Sequence, residues 1–249
     1  MNMWKAGTGC MALLALALLA APPTALAEAY FNLKAGAYMP SGKSSYSAGM
    51  DVDTSSRLSN MGMTSNFNGE LEFGYDFLPG PNILAVDVSL GYFKATTGVT
   101  TSELGTASNI SGALDVVPVS LGLTGGKQYG PVRVYAGAGL DLLFCNLDFD
   151  MGLKSGDGSI GMNFGSDSET VFGGHLKAGF SYDLTDHLYV GAEAKYLMVG
   201  NADFRLKSAS LNGNVNGSAI SIPPTGGNFG NVSADLSGFL VTALVGFRF

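Results

Sequence analysis

The sequence predicts an all-β protein, an eight-stranded antiparallel up-and-down transmembrane β-barrel, on three observations. Eight segments alternate apolar residues with polar or small ones at a period of two, which is the period of a β-strand. The links between these segments are alternately short and long. The chain begins with an export signal, and beyond it no apolar run approaches the roughly 20 residues that a membrane-spanning helix needs.

Residues 1–27 predict a cleaved signal peptide, which leaves residues 28–249 for the barrel. Lys5 supplies the positive charge, residues 11–21 form a short apolar run, and Ala25 and Ala27 fit the small-residue cleavage motif. The alternative, an uncleaved membrane anchor, is disfavoured because the apolar run is short. Cleavage leaves Cys145 as the single cysteine, so no intramolecular disulfide is expected.

The last segment, residues 236–249, shows the alternation most clearly. Its apolar face carries Phe239, Val241, Ala243, Val245, Phe247 and Phe249, and its other face is small or polar and includes Arg248. A membrane strand turns such an apolar face to lipid. The other seven segments are residues 31–39, 67–77, 84–92, 117–124, 132–145, 172–182 and 188–198. Pro118 lacks the N–H that a ladder needs, so a bulge or kink is expected there.

The lengths of the links predict the topology. Residues 78–82, 125–131 and 184–187 are short and rich in turn-forming residues. Residues 40–65, 95–112, 147–167 and 200–235 are long and polar. Strict alternation places the long loops at one end and both termini at the other, which is the outer-membrane pattern of short periplasmic turns and long extracellular loops. Aromatic residues near both ends of the segments predict two interfacial girdles.

The charged residues of the segments fall on the face opposite the apolar one, which predicts that they point into the lumen. This inward-facing set has six acidic residues, five basic residues and one histidine. The set is Lys34, Glu70, Glu72, Asp76, Asp87, Arg133, Asp141, His175, Lys177, Glu193, Lys195 and Arg248. Lys34 is expected at the depth of Glu72, and Lys177 at the depth of Glu193. Because eight strands enclose a lumen that side chains can fill, this near balance favours a self-neutralising plug over a pore, where a ring of one sign is expected.

Glycines on the inward parity leave a second possibility open. They either leave gaps in the lumen or make room for Tyr38, Tyr135 and Tyr189.

The chain resembles the small eight-stranded outer-membrane β-barrel family, called outer membrane protein β-barrel domain or porin-family proteins, which includes the transmembrane part of outer membrane protein A. The signal peptide, the stretch from Pro118 to Leu140 and the terminal strand carry the resemblance. It implies a bacterial outer-membrane location, contact with outer-membrane lipid and lipopolysaccharide, and an assembly signal at Val245, Phe247 and Phe249 for the barrel assembly machinery. A chain that stops at Phe249 is expected to lack the peptidoglycan-binding domain of outer membrane protein A.

These features predict a non-enzymatic barrel with a structural or surface-interaction role through its loops and a loop partner that the sequence does not identify. A narrow porin-like channel, or a lateral path for small, apolar molecules, is the alternative. A lipid-modifying enzyme is disfavoured because His175-Leu176-Lys177 replaces the His-x-Ser pair of lipid A deacylases. The formal charge of −7 opposes nucleic-acid binding.

No cofactor or metal site is predicted. Weak calcium binding at Asp51 and Asp53, at Asp148 and Asp150, or at residues 156–158 is left open, because these loop acids lack the spacing of an EF-hand. Residues 220–224 are an apolar patch in the longest link. Three roles are left open for this patch: it caps the barrel, contacts lipid or contacts a partner.

Overall fold

The structure, a computed structural model, describes residues 28–47, 57–64, 66–78, 80–103, 106–155, 158–165, 168–215, 218–227 and 229–249. Its strands are β1 (Glu28–Pro40), β2 (Lys43–Ser47), β3 (Arg57–Thr64), β4 (Asn66–Asp76), β5 (Asn82–Glu103), β6 (Thr106–Tyr129), β7 (Val132–Ser155), β8 (Gly158–Phe164), β9 (Ser168–Asp183), β10 (Leu188–Val199), β11 (Asn201–Arg205), β12 (Ser208–Val215), β13 (Ser218–Gly226), β14 (Asn231–Asp235) and β15 (Gly238–Arg248). Within these ranges, no helix has the length and apolar character to cross a membrane.

Eight of these strands close into the predicted antiparallel barrel. Their order around the wall is β1, β4, β5, β6, β7, β9, β10 and β15, and β15 pairs back onto β1 from Tyr30↔Arg248 to Pro40↔Gly238. Each predicted segment lies on one of these strands, with at most two of its residues beyond an end of the strand. The predicted fold class is confirmed, because the period-two pattern and the turn residues specify neighbouring strands directly.

The sequence predicts long polar loops between the wall strands, but in the structure much of each of these links is β-strand. β5 and β6 continue pairing to Glu103↔Thr106, well beyond the segments predicted from the alternation. The other links form β2, β3, β8 and β11 to β14, which continue the wall through the ladders β14–β2, β2–β3, β7–β8 and β8–β12. Cross-strand pairing extended from the barrel overrides the weak local pattern of these polar residues.

The turns at the opposite end are short, as predicted. Gly130 has φ +60° in a two-residue connection between Tyr129 and Val132, and Gly80 has φ +87°. Both values lie in the left-handed region, which glycine adopts at the lowest cost.

Of the bulge or kink expected at Pro118, the bulge is wrong. Leu90↔Val119 and Phe93↔Val116 keep one register on either side, although the intervening positions are missing from the ladder. The proline ring lies over Gly91 on β5. Loss of its N–H therefore interrupts the ladder without shifting the register, because a side chain is absent at the facing position.

The two faces of the wall have opposite chemistry, as the alternation predicts. On β1, Leu33 is 54% exposed and faces outward, whereas Lys34 is 1% exposed and faces the lumen. The outward face carries exposed aromatics near both ends of the barrel, Phe67, Tyr92, Phe172 and Phe239 at one end and Phe77, Phe180, Tyr182, Phe247 and Phe249 at the other. An apolar exterior around a polar interior is the arrangement of a membrane barrel.

Inward glycines make room for tyrosine rings. The Tyr30 ring lies over Gly74, the Tyr135 ring over Gly179 and the Tyr189 ring over Gly246. Tyr38 contacts the position of Gly238 in the same way. Of the two explanations offered by the sequence, the structure supports room for aromatic side chains at these positions.

A methyl group at Gly246 tests this packing. Gly246→Ala places a Cβ against the Tyr189 ring and the Asn32 side chain, so we expect a loss of about 1–3 kcal/mol of unfolding free energy through overpacking. Gly200→Ala is the matched control, because nothing lies within 4 Å of its added Cβ and its stability should change by less than about 0.5 kcal/mol. Urea titration of the refolded proteins measures both, and equal stabilities would contradict the packing.

Candidate functional site

The lumen contains an ion-pair network centred on Lys34, which points inward from β1. The Nζ atom of Lys34 lies 3.1 Å from Glu70, 2.7 Å from Glu72 and 2.8 Å from Glu193. β4 supplies the first two carboxylates and β10 the third. All four side chains are buried, so the three carboxylates replace the water that an ammonium group loses on burial.

Two further lysines neutralise the remaining charge of these acids. Lys177 on β9 lies 2.9 Å from Glu72 and 2.8 Å from Asp87 on β5. Lys195 on β10 binds the second oxygen of Glu70. Lys177 does not form an ion pair with Glu193, the residue expected at its depth, because its side chain reaches across the lumen to β4 and β5 and Lys34 binds Glu193.

Neutral groups complete the hydrogen bonding of the acids. Asn32 donates to Glu72 at 2.8 Å, Thr124 to Asp87 at 2.7 Å and Tyr135 to Glu193 at 3.1 Å. Buried carboxylates are tolerated when their lone pairs are occupied in this way. The acids and lysines of the network therefore satisfy one another together with these neutral donors.

A second polar cluster joins β6, β7 and β9. His175 Nδ1 lies 2.9 Å from the Asp141 carboxylate, which also accepts a hydrogen bond from Ser120. The Nε2 atom of His175 is buried without a partner in the described part of the chain. A Ser-His-Asp triad requires the hydroxyl to contact the histidine, and here Ser120 contacts the aspartate instead.

The short-turn end of the lumen holds the two arginines. Arg248 lies 2.9 Å from Asp183, and its guanidinium stacks over the Tyr189 ring at 4.3 Å. Arg133 has more distant partners, Glu28 at 3.4 Å and Asp76 at 3.9 Å. Its side chain is 15% exposed, so it is the most exposed member of the predicted inward set.

Above the charged layer, toward the long hairpins, the lumen is mainly apolar, although the buried amide of Asn68 lies opposite Phe93 and has no hydrogen-bond partner in the described residues. Tyr38, Phe93, Leu143 and Leu197 follow the charged residues on β1, β5, β7 and β10, and all are buried. The hairpins add a further buried set, comprising Phe149, Phe164, Phe204, Leu206, Val232 and Leu236. We did not predict this cluster from the sequence, although the alternations Ala202-Phe204-Leu206 and Val232-Ala234-Leu236 carry its signal.

The three glutamates around Lys34 also have the spacing of metal ligands. One carboxylate oxygen each from Glu70, Glu72 and Glu193 lies within 4.8 Å of the others. The Lys34 ammonium stands among them at hydrogen-bond distance, so the charge that a cation would supply is already present.

The remaining predicted positions lie elsewhere. Asp148 and Asp150 are exposed on β7, whereas Asp51, Asp53, Gly156 and Asp157 lie outside the described residues, as do Ala25 and Ala27 of the signal peptide. Val245, Phe247 and Phe249 are exposed on the outward face of the terminal strand and the residue after it. Their recognition by the assembly machinery stays a prediction.

Residues 11–222 match the family described as outer membrane protein beta-barrel domain. Similar solved structures include the outer membrane protein OprG from Pseudomonas aeruginosa, with 17% identity, 90% of this chain and 96% of that chain covered, and a TM-score of 0.54. A major outer membrane protein from Thermus thermophilus has 16% identity, coverages of 89% and 99%, and a TM-score of 0.41. Ail, the attachment invasion locus protein of Yersinia pestis, has 14% identity, coverages of 90% and 99%, and a TM-score of 0.38. No curated protein matches the chain.

Removal of the central ammonium tests the network. Lys34→Met keeps the length of the side chain but leaves three buried carboxylates without their shared cation. We expect the unfolding free energy to fall by about 3–5 kcal/mol. Lys94→Met is the control, since Lys94 is 42% exposed and lies 3.6 Å from Asp115, and its loss should cost less than about 1 kcal/mol. Equal denaturant midpoints for the two variants would rule out a structural role for the network.

Proposed function

The chain belongs to the outer membrane protein beta-barrel domain family, and on that premise we propose that it is a non-conducting barrel that acts through its long hairpins. In this role the barrel anchors a surface of extracellular β-structure in the outer membrane. The proposal covers both envelope structure and surface interaction. It rests on one observation above all, which is that side chains fill the lumen in two successive layers.

The charged layer opposes ion passage. Its acids and lysines bind each other at 2.7 to 3.1 Å, so a passing ion would have to break several buried ion pairs. A selective pore instead lines its constriction with charges of one sign that are free to bind the ion. The balanced, internally paired set supports a plug.

The apolar layer adds a second barrier. Tyr38, Phe93, Val116 and Leu143 are fully buried inside the barrel, and the tilted Tyr38 and Phe93 rings pack with their centroids 4.3 Å apart. Closely packed apolar side chains give water and ions few polar partners, although the buried Asn68 amide lies opposite Phe93. An aqueous route would therefore have to cross both layers.

The hairpins provide the surface for interaction. Every residue of β13 is exposed, including Ile220 at 39% and Ile222 at 46%. β13 pairs with β12 on one edge and has no ladder partner on the other within the described residues. Exposed strands on a rigid scaffold are suited to binding another macromolecule, which supports a surface role for the patch at residues 220–224.

The geometry of the buried polar groups supports the absence of catalysis. In the cluster of Ser120, Asp141 and His175, the hydroxyl donates to the carboxylate, so the histidine cannot activate it as a nucleophile. All three residues are buried below the apolar layer. This cluster therefore offers neither a nucleophile–base contact nor access for a substrate.

Single-channel recording tests the plug directly. The mature chain, refolded into a planar bilayer, should show no conductance steps, while heat-modifiable gel mobility proves that it is folded. Glu72→Ala should lower stability without opening a current, because Lys34 and Lys177 then bind other acids. Reproducible steps in the folded protein, altered by Glu72→Ala, would replace the plug with an ion channel.

A discontinuity in the wall favours a second candidate, a lateral path for small apolar molecules. β9 and β10 pair up to Gly173↔Val199, but no ladder joins β9 to β11 above that point in the described residues. A hydrogen bond from Gly165 N–H to the Ser208 carbonyl, at 2.9 Å, joins the two sides at the far end of this interval. Buried Ala202 and Phe204 lie behind this interval.

Bulky substitution tests the lateral path. Gly200 stands at the start of the interval, and nothing lies within 4 Å of an added Cβ there or at Gly226, the control position on β13. If the path exists, cells producing the protein should take up N-phenyl-1-naphthylamine faster, and Gly200→Trp, but not Gly226→Trp, should reduce the uptake. Uptake equal to that of cells without the protein would exclude this candidate.

A further inference from the structure

A cavity of about 50 Å³ lies at the short-turn end of the lumen, below the charged layer. Its polar lining includes Tyr30, Asp76, Arg133, Ser181, Tyr189 and Arg248. These residues come from β1, β4, β7, β9, β10 and β15, so the cavity spans most of the barrel's width. Glu72 and Lys177 of the charged layer also line it, whereas several of its other polar groups lack protein partners in the described residues.

Arg133 is the cation with the weakest protein contacts in this region. Its guanidinium lies 3.4 Å from Glu28 and 3.9 Å from Asp76, both long for a charge-assisted hydrogen bond. Its Nε atom is buried and has no hydrogen-bond partner in the described ranges. A buried N–H of a charged group without a partner is costly, so the geometry points to an acceptor that the protein does not supply.

Two hydroxyl donors accompany the guanidinium. Ser181 is the direct cross-strand partner of Arg133 in the β7–β9 ladder. The hydroxyls of Ser181 and Tyr30 line the cavity, and neither forms a hydrogen bond with another described residue. The cavity is thus lined by two hydroxyls without a described hydrogen-bond partner and by a guanidinium whose Nε atom is unpartnered.

The other charges of the lining are already paired. Lys177 binds Glu72 and Asp87, and Arg248 binds Asp183. Asp76 opposes an anion, but one of its oxygens accepts hydrogen bonds from the backbone N–H groups of Leu78 and Leu84, at 3.1 Å each. These bonds hold the carboxylate toward the turn, so the contacts of Arg133 with Glu28 and Asp76 stay long, at 3.4 Å and 3.9 Å.

We propose that this cavity binds a small oxyanion, with Arg133, Ser181 and Tyr30 as its donors. A volume of about 50 Å³ holds about four water-sized spheres, which matches an anion of four or five heavy atoms such as acetate, sulfate or phosphate. The planar guanidinium suits the paired oxygens of such anions. Because the cavity lies at the short-turn end, the anion enters from the periplasm.

This binding goes beyond the proposed surface role and does not depend on it. A non-conducting barrel is compatible with an anion held in a blind cavity, because the charged layer closes the lumen above it. Absence of anion binding would leave the conductance result unchanged, and a conducting barrel would still have to account for the unpartnered donors of Arg133.

Calorimetric titration of the refolded mature chain in detergent tests the proposal. Inorganic phosphate, sulfate and acetate are titrated separately, with chloride at matched ionic strength as the reference. We expect saturable binding of one oxyanion per barrel. Arg133→Gln should weaken it at least about tenfold through loss of a charged donor, while Lys94→Gln, on the outer wall, should leave it unchanged.

The hydroxyl variants keep the test decisive if Arg133→Gln does not fold, which heat-modifiable mobility detects. Tyr30→Phe and Ser181→Ala each remove one donor and no charge, and each should weaken binding by a smaller factor. The proposal is overturned if none of the three oxyanions binds saturably. It is equally overturned if folded Arg133→Gln, or both hydroxyl variants, bind with the affinity of the unmodified protein.

Discussion

The burial of Lys34 among three glutamates is the constraint on which the rest of the barrel depends. An eight-stranded wall leaves a lumen that side chains fill, and the residues at its middle are charged. Such charges are stable only when each has a partner of opposite sign and its remaining hydrogen-bonding positions are occupied. Lys34, Lys177 and Lys195 satisfy Glu70, Glu72, Asp87 and Glu193 in a single connected set. Because these residues stand on β1, β4, β5, β9 and β10, the network ties together strands on opposite sides of the lumen.

The network also divides the interior into regions of different chemistry. Toward the long hairpins, apolar side chains pack into a core that continues into the strands beyond the barrel. Toward the short turns, tyrosine hydroxyls and two arginines surround a small polar cavity. A barrel organised in this way is rigid in its middle, and its ends differ in what they can bind. The hairpin end suits a macromolecular partner, whereas the turn end suits a small oxyanion.

The fold could be predicted almost completely, but the site only in part. The wall strands were recognised because side-chain orientation alternates with sequence position, so parity alone separates Leu33 from Lys34. The ion-pair partners of side chains across the lumen could not be predicted from the sequence in this way. Lys177 was expected beside Glu193 from its depth, yet its flexible side chain reaches Glu72 and Asp87. The stagger of a barrel displaces strands relative to one another, and a four-carbon side chain adds further reach, so depth along one strand does not identify a contact on another.

By itself, the sequence determined the number of wall strands, their faces, the ends at which the links lie and the membrane character of the exterior. Each of these follows from local periodicity, turn residues and composition. Tertiary structure alone decided that the polar links continue the sheet, that Pro118 keeps its register over Gly91, and that the lumen has an apolar layer above its charged one. It also brought Tyr30, Arg133 and Ser181 to one cavity. These features depend on which side chains meet across the closed barrel, and that is set by closure and stagger rather than by neighbours in the chain.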